Sequence, residues 1–113
     1  MKIEFPRGDS YEKGFILKDK KTKQPIVDVF DEVYFTVKKT LYMDKYCFQK
    51  RMTDGGIVND GNGHYTLFIL PSDTDDMSFG DYICDVEFVK GDCKKTFVGT
   101  LTLTTEVTYA GDE

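Results

Sequence analysis

Several residue types on which catalysis, metal binding and membrane insertion depend are scarce in this sequence or missing from it. There is no Trp, one His and three Cys among 113 residues. No apolar run approaches the roughly 20 residues that a membrane-spanning helix needs. The opening stretch, MKIEFPRG, lacks the apolar core of a secretory signal peptide. We therefore expect a chain that stays in the cytoplasm in which it is made and does not enter a membrane.

Arginine is also scarce, although the chain has 15 basic residues. Only Arg7 and Arg51 carry a guanidinium, and the lysines are interleaved with acidic residues instead of forming a stripe. Nucleic-acid binders usually combine a basic stripe with Arg forks for phosphate, whereas the net charge here is −5. The charge pattern predicts a solvated surface and no nucleic-acid partner.

The sequence does contain a series of short segments that alternate apolar and polar residues and are bounded by turn residues. The segments are KIEF, YEKGFILK, EVYFTVKK, KYCFQKRM, HYTLFIL, GDYICDVEFVK and CKKTFVGTLTLTTEVT. About seven short strands with frequent turns are typical of an antiparallel sandwich. We predict an all-β, immunoglobulin-like antiparallel β-sandwich that occupies residues 1–113 as a single domain, with a frayed tail over residues 109–113.

The alternation within each segment also predicts which side chains face the core, because successive residues of a strand point to opposite faces of the sheet. The predicted inward set is Phe15, Leu17, Val33, Phe35, Val37, Tyr65, Leu67, Ile69, Tyr82, Val86, Phe88, Phe97, Leu101 and Leu103.

Tyr82 lies two residues before a Cys and just after a Gly-containing corner, as the tyrosine of an immunoglobulin tyrosine corner does. We expect its hydroxyl to bond back to the backbone near Asp76 and Met77. An antibody-type domain would also need a Cys on an early strand and a Trp between the two cysteines. No Cys precedes Cys47, so the antibody disulfide signature is absent.

The cysteines and the single histidine do not form a recognisable metal motif. Cys47, Cys84 and Cys93 have no CxxC spacing, and a zinc site that combines them with His64 is conceivable but has little support. A two-residue turn would keep Cys84 and Cys93 from facing each other across their hairpin. Reduced thiols, with Cys84 in the core, and an exposed strand histidine are the prediction.

An acidic cluster surrounds a predicted helical turn over residues 72–77. Asp73, Asp75 and Asp76 do not match a calcium loop, because Ser78 stands where the loop needs Gly. Capping of the short helix explains these carboxylates more simply. Whether they hold an adventitious cation stays open. No catalytic residue, cofactor or metal ligand is predicted, and we expect no enzyme activity.

Five short motifs follow one another along the chain, at Arg7–Asp9, Tyr34–Lys38, Gly63–Tyr65, Pro71–Thr74 and Gly80–Tyr82. This ordered set resembles the small immunoglobulin-like structural proteins of tailed phages and prophages. The similarity is to the N-terminal domain of siphophage baseplate upper proteins. The resemblance implies a non-enzymatic structural or assembly module of a virion, tail or baseplate. Its partners would be other phage structural proteins or further copies of itself, and the chain would pass from the bacterial host cytoplasm into the virion.

Two surface features suit two different binding functions. Thr100, Thr102 and Thr104 form an uncharged ladder, which would suit an edge strand that accepts a partner strand. The same ladder is ordinary for a solvent-facing strand. The alternative function is a surface carbohydrate-binding or adhesion module, for which Tyr42 and Tyr46 are the candidate aromatic platform.

Overall fold

The computed structural model describes residues 1–105 and contains eight strands and one short helix. The predicted tail over residues 109–113 lies outside the described residues. The elements are β1 (Lys2–Pro6), β2 (Tyr11–Ile16), β3 (Glu32–Lys38), β4 (Phe48–Arg51), β5 (Ile57–Gly61), β6 (His64–Ile69), α1 (Pro71–Thr74), β7 (Gly80–Lys90) and β8 (Cys93–Thr104).

The strands form two sheets that enclose one core, which confirms the predicted β-sandwich. Sheet A has the order β1-β8-β7-β3-β4, and sheet B has the order β2-β6-β5. The division of β2, β5 and β6 from β3, β7 and β8 is the one that the immunoglobulin fold makes between its two sheets. The sandwich is not wholly antiparallel, because β1 pairs with β8 in parallel.

The strand β5 is not among the strands predicted from the sequence. Its residues, IVNDG, end in turn-forming residues, and the segment therefore resembles part of a loop. Only Ile57 at its start is buried, and the pairing with β6 is interrupted by a bulge between Asn59 and Gly61. A short, bulged edge strand with one buried side chain carries too little alternation to be recognised.

The core confirms most of the predicted inward set. All of those side chains are buried except Phe15, which is half-buried against the core, and Phe97, which is 45% exposed. Phe97 does face the core side of β8, but sheet B ends at β2 and leaves its ring uncovered. Cys84 is buried as predicted, and further buried apolar side chains lie outside the predicted set: Ile3, Phe5, Phe30, Phe48 and Ile57.

The helical turn is shorter than the predicted residues 72–77, since α1 ends at Thr74. Asp73 accepts a hydrogen bond from the Leu70 amide at 2.8 Å and forms an ion pair with Lys50. Asp73 is therefore a capping residue, as expected of a carboxylate in the first turn. Asp75 closes the turn through its amide, which donates to the Pro71 carbonyl.

The tyrosine corner is present, with a different acceptor from the predicted one. The Tyr82 hydroxyl donates to the Ser78 carbonyl at 2.7 Å, so Asp76 and Met77 are not its partners. Tyr82 itself is buried, and the ammonium of Lys39 lies 4.5 Å from its ring centroid. The bond ties the loop before β7 to the core side of that strand.

The stretch Arg7–Asp9 forms the turn between β1 and β2. The Gly8 amide donates to the hydroxyl of the buried Thr74, and the Arg7 guanidinium lies 4.2 Å from the centroid of the Phe79 ring. These contacts hold the turn against the corner after α1.

Candidate functional site

The strand β8 consists of two parts with different pairing. Residues 100–103 lie between β1 and β7 and are paired on both sides, and Thr104 is paired with Pro6 of β1. The predicted open edge at Thr100, Thr102 and Thr104 is therefore wrong. The three residues do share the outer face of the strand, where the Thr102 hydroxyl donates to Asp81 at 2.7 Å.

The other part of β8 is an open edge. Residues 93–98 pair with β7 on one side, and within the described chain no strand pairs with their other side. The strand β2 is the corresponding edge of sheet B and pairs only with β6 among the described strands. The two unpaired edges lie on the same side of the sandwich.

A groove lies between these two edges, which we call the edge groove. It has a volume of about 380 Å³, and its walls are mainly apolar. Phe15 of β2 and Leu17, which follows β2, line it on one side, and Val86, Phe88 and Phe97 line it from sheet A. The groove is open because sheet B ends at β2 and has no further described strand to cover the first half of β8.

Stacked and edge-on aromatic rings build the floor of the edge groove around Phe88. Its ring centroid lies 5.3 Å from that of Tyr65, 6.2 Å from that of Phe15 and 6.0 Å from that of Phe97. A fourth ring, that of Phe30, lies 5.1 Å away. Aromatic rings at these spacings pack favourably and hold one another in place. The floor is therefore continuous with the core and reaches the surface at Phe97.

The rim of the edge groove is basic, although the chain as a whole is acidic. Lysines 13 and 18 line the groove, and an adjoining hollow that shares Lys18 and Phe97 is lined by Lys20, Lys21 and Lys95. The acidic side chain lining this hollow is Asp19, whose pKa is lowered chiefly by hydrogen bonds from backbone amides. Across the ranges described, none of these five lysines forms an ion pair within 4.0 Å.

A second concave surface lies on the outer face of sheet A, and we call it the outer cleft. It has a volume of about 460 Å³, and polar side chains dominate its lining. Tyr34 and Tyr46 contribute rings, and Gln49, Asp85 and Glu87 contribute hydrogen-bonding groups. Such a combination of rings and hydrogen-bonding groups is chemically suited to polar ligands.

Burial raises the pKa of Asp85 above its ordinary value of 3.8, and the neighbouring Glu87 carboxylate adds to the shift. Perturbed carboxylates are common at functional sites, although structural clusters perturb them as well. The Glu87 carboxylate lies 4.0 Å from the Lys94 ammonium. The outer cleft therefore holds one carboxylate that is poorly solvated and another that has a nearby cation.

The shift at Asp85 leads to a prediction about stability. A raised folded-state pKa means that the carboxyl group favours folding below its ordinary pKa and loses that contribution as pH rises through the folded-state value. The Asp85→Asn variant should therefore melt at a higher temperature than the parent at pH 7, with no such gain at pH 3. Circular dichroism melts at both pH values measure the effect, and Asp9→Asn on an exposed turn is the control. An equal gain at both pH values would contradict the electrostatic cause.

The two candidate platform tyrosines differ in position. Tyr46 is 51% exposed and lines the outer cleft, whereas Tyr42 is 94% exposed and is not among the cleft residues. The predicted pair does not form one platform at the cleft. Tyr34, which was not among the predicted platform residues, takes the second position there. Tyr34 is half-exposed because it alternates on β3 with the buried Val33 and Phe35.

The remaining predicted positions are dispersed. Cys47 and Cys93 are exposed free thiols, and Cys84 is a buried free thiol whose pKa is raised to about 11 by burial. Cys84 lies opposite Gly99 and Cys93 opposite Lys90, so the two cysteines do not face each other.

His64 is an exposed strand residue, as predicted. Within residues 1–105 no three His, Cys, Asp or Glu side chains are close enough together to hold a metal ion. Asp75 and Asp76 do interact, and a hydrogen bond with Asp76 raises the pKa of Asp75. None of the helices described is long and apolar enough to cross a bilayer.

Comparison with known proteins supports the fold and leaves the function open. No family model matches the chain, and no curated protein matches it. Among solved structures, the chain is similar to an endo-β-1,4-mannanase from Thermotoga petrophila, with a TM-score of 0.55 and 13% identity. The match covers 92% of this chain and 18% of the mannanase chain. At this identity the likeness concerns the fold alone.

Proposed function

We propose that this domain is a non-enzymatic binding module that acts through protein–protein contacts, as a structural or assembly component of a phage or prophage particle. The edge groove is the observation that carries the proposal. It joins an apolar surface to unpaired strand backbone, and these are the two elements that strand-addition interfaces use. The phage assignment rests on the ordered motifs of the sequence, from Arg7–Asp9 to Gly80–Tyr82.

The edge groove has two properties of a protein–protein contact surface: an exposed aromatic ring and unpaired strand backbone beside it. An exposed Phe ring beside unpaired backbone is a liability in a free domain, because it invites uncontrolled pairing. Phe97 and Val98 are 45% and 61% exposed, and Ile16 on the facing strand is also exposed. Binding of a partner strand at this position would cover the Phe97 ring and pair the open backbone edge of β8.

The proposal predicts that Phe97→Lys prevents incorporation of the protein into particles. A Lys side chain at this position would bring an unpaired charge into the apolar contact, and burying such a charge is strongly unfavourable. We expect at least a tenfold loss of the protein from density-purified particles of the phage or prophage that encodes it, measured by quantitative mass spectrometry. Incorporation at the parent level would exclude the groove as the contact.

Thr102→Lys is the matched control, because it makes a comparable addition of charge on the same strand. The backbone at Thr102 is already paired with Glu4 and Asp81, whose carboxylates would receive the new ammonium. This variant should be incorporated like the parent. Thermal melts of both variants verify that each monomer is folded. Absence of the parent protein from particles would contradict the phage assignment itself.

Carbohydrate binding at the outer cleft is the second candidate function. The observation that favours it is the combination of Tyr34 and Tyr46 rings with the Asp85 and Glu87 carboxylates in one concave surface. The structurally similar protein is named for its action on β-1,4-mannan, which makes that polymer a reasonable first probe. Binding of mannan oligosaccharides that is lost in Tyr34→Ala and retained in Phe97→Lys would favour this function over the first.

A further inference from the structure

We infer that the partner of the edge groove is an acidic, extended segment that adds to the open edge of β8 at residues 94–98. The inference rests on the proposed function, since it specifies the chemistry of the partner that the groove would receive. Three independent features of the described residues lead to it: the backbone, the alternation of side chains and the charge of the rim.

The backbone limits where a strand can be added. The Met1 carbonyl accepts a hydrogen bond from the Thr100 amide at 3.1 Å, so β1 covers β8 from that point onward. A Cβ atom at Gly99 would come within 2.4 Å of the Met1 carbonyl oxygen, which shows how closely the two chains approach there. The open edge therefore ends at Val98, and it accommodates a strand segment of about five residues, or roughly 17 Å.

The side chains define the pattern that such a strand would need. On the open part of β8, Lys95 and Phe97 face the space between the sheets, while Thr96 and Val98 face outward. An added strand would likewise direct every second side chain into the apolar groove, over Phe15 and Phe88. Apolar residues at alternate positions are therefore expected in the partner, with polar residues between them.

The charge of the rim indicates which polar residues the partner strand would carry. Five lysines and one aspartate surround the groove and its adjoining hollow, on a chain whose net charge is −5. Carboxylates between the apolar positions would face outward, on the side of Lys94, and the field of the rim lysines would also attract them. A second copy of the same edge would instead bring lysines toward lysines, because Lys94 and Lys95 lie on it. Lysines on an open edge oppose self-pairing, and they are compatible with an acidic partner strand.

The test uses synthetic peptides of defined pattern. The probe is acetyl-EVEVEVEVE-amide, and its two controls are acetyl-EEVVEEVVE-amide, with the same composition but no alternation, and acetyl-KVKVKVKVK-amide, with the opposite charge. We expect the probe to bind at least tenfold more tightly than either control in calorimetry. In amide NMR spectra, its shifts should centre on residues 94–98, and hydrogen exchange there should slow at least tenfold.

Charge reversal on the protein provides the matching variants. The Lys18→Glu/Lys95→Glu pair should weaken probe binding at least tenfold. The control pair Lys39→Glu/Lys45→Glu makes the same change of net charge at residues that line neither the groove nor its adjoining hollow, and it should weaken binding less than threefold. The inference is overturned by equal binding of the lysine peptide, by shifts centred elsewhere, by no binding, or by self-association that protects residues 94–98.

The peptide test and the particle test can fail separately. If Phe97→Lys is lost from particles while the acidic probe fails to bind, the proposed function stands and the acidic-strand inference falls. If the probe binds at the groove while Phe97→Lys is incorporated like the parent, the acidic-strand chemistry is supported and the groove's role in assembly falls.

Discussion

Replacing Phe88 with Ala is expected to lower the free energy of unfolding by about 3–5 kcal/mol, the range of aromatic truncations in well-packed cores. The Phe88 ring is 2% exposed and contacts four other rings from both sheets. Its removal loses the burial of the ring and leaves a cavity among the surrounding rings. Because a domain of this size has about 5–15 kcal/mol of stability in total, the variant should be only marginally folded.

Urea unfolding followed by circular dichroism measures this effect, and Tyr42→Ala is the control. Tyr42 is 94% exposed, so truncation of an aromatic side chain there should change stability by less than about 0.5 kcal/mol. A loss below about 1 kcal/mol in Phe88→Ala would contradict the central position of this ring. The same variant should also widen the floor of the edge groove, which links the stability of the core to the shape of the groove.

Local alternation was enough to predict the strands that form the centre of each sheet. In β3, Val33, Phe35 and Val37 are buried while the residues between them are not, and this is the period that the segment EVYFTVKK shows. The β7–β8 hairpin was equally predictable from the sequence, and Lys90 and Cys93 do pair across the predicted two-residue turn. Strands with one face on the core can be recognised in the sequence, because burial of that face places an apolar residue at every second position.

The pairing of β1 with β8 could not be predicted in this way. Parallel partners about 98 residues apart leave no turn between them to indicate the register (Lys2 opposite Thr100). The Thr ladder was therefore assigned to an open edge, although β1 covers it. A strand's own composition does not reveal how many neighbours it has.

The edge groove could not be predicted from the sequence, for a related reason. Phe15 and Phe97 both alternate correctly and both face the core side of their strands, so their pattern predicts burial. Their exposure depends on where sheet B ends relative to β8, which is a property of the assembled sandwich. The basic rim includes Lys18 and Lys95, which are distant in sequence and line the same hollow only in the folded sandwich. The candidate site is thus a product of the assembled sandwich.

Replacing Tyr82 tests the corner that the opening of β7 depends on, and two variants separate its two contributions. Tyr82→Phe removes only the hydroxyl that donates to the Ser78 carbonyl at 2.7 Å, so it should cost about 0.5–1.5 kcal/mol, the net value of one hydrogen bond. Tyr82→Ala also removes a buried ring and should cost about 3–5 kcal/mol, by analogy with other aromatic truncations.

Urea unfolding and hydrogen exchange together distinguish the contribution of the Tyr82 hydroxyl from that of its ring. If the Tyr82 hydroxyl anchors the loop before β7, the Phe variant should speed amide exchange around Met77 and Ser78 while leaving β3 at its parental rate. Ser78→Ala is the control, because the acceptor is the Ser78 backbone carbonyl and the side-chain hydroxyl lies at the longer distance of 3.3 Å. A Phe variant as stable as the parent, with unchanged exchange in the loop, would mean that burial of the ring alone maintains the corner.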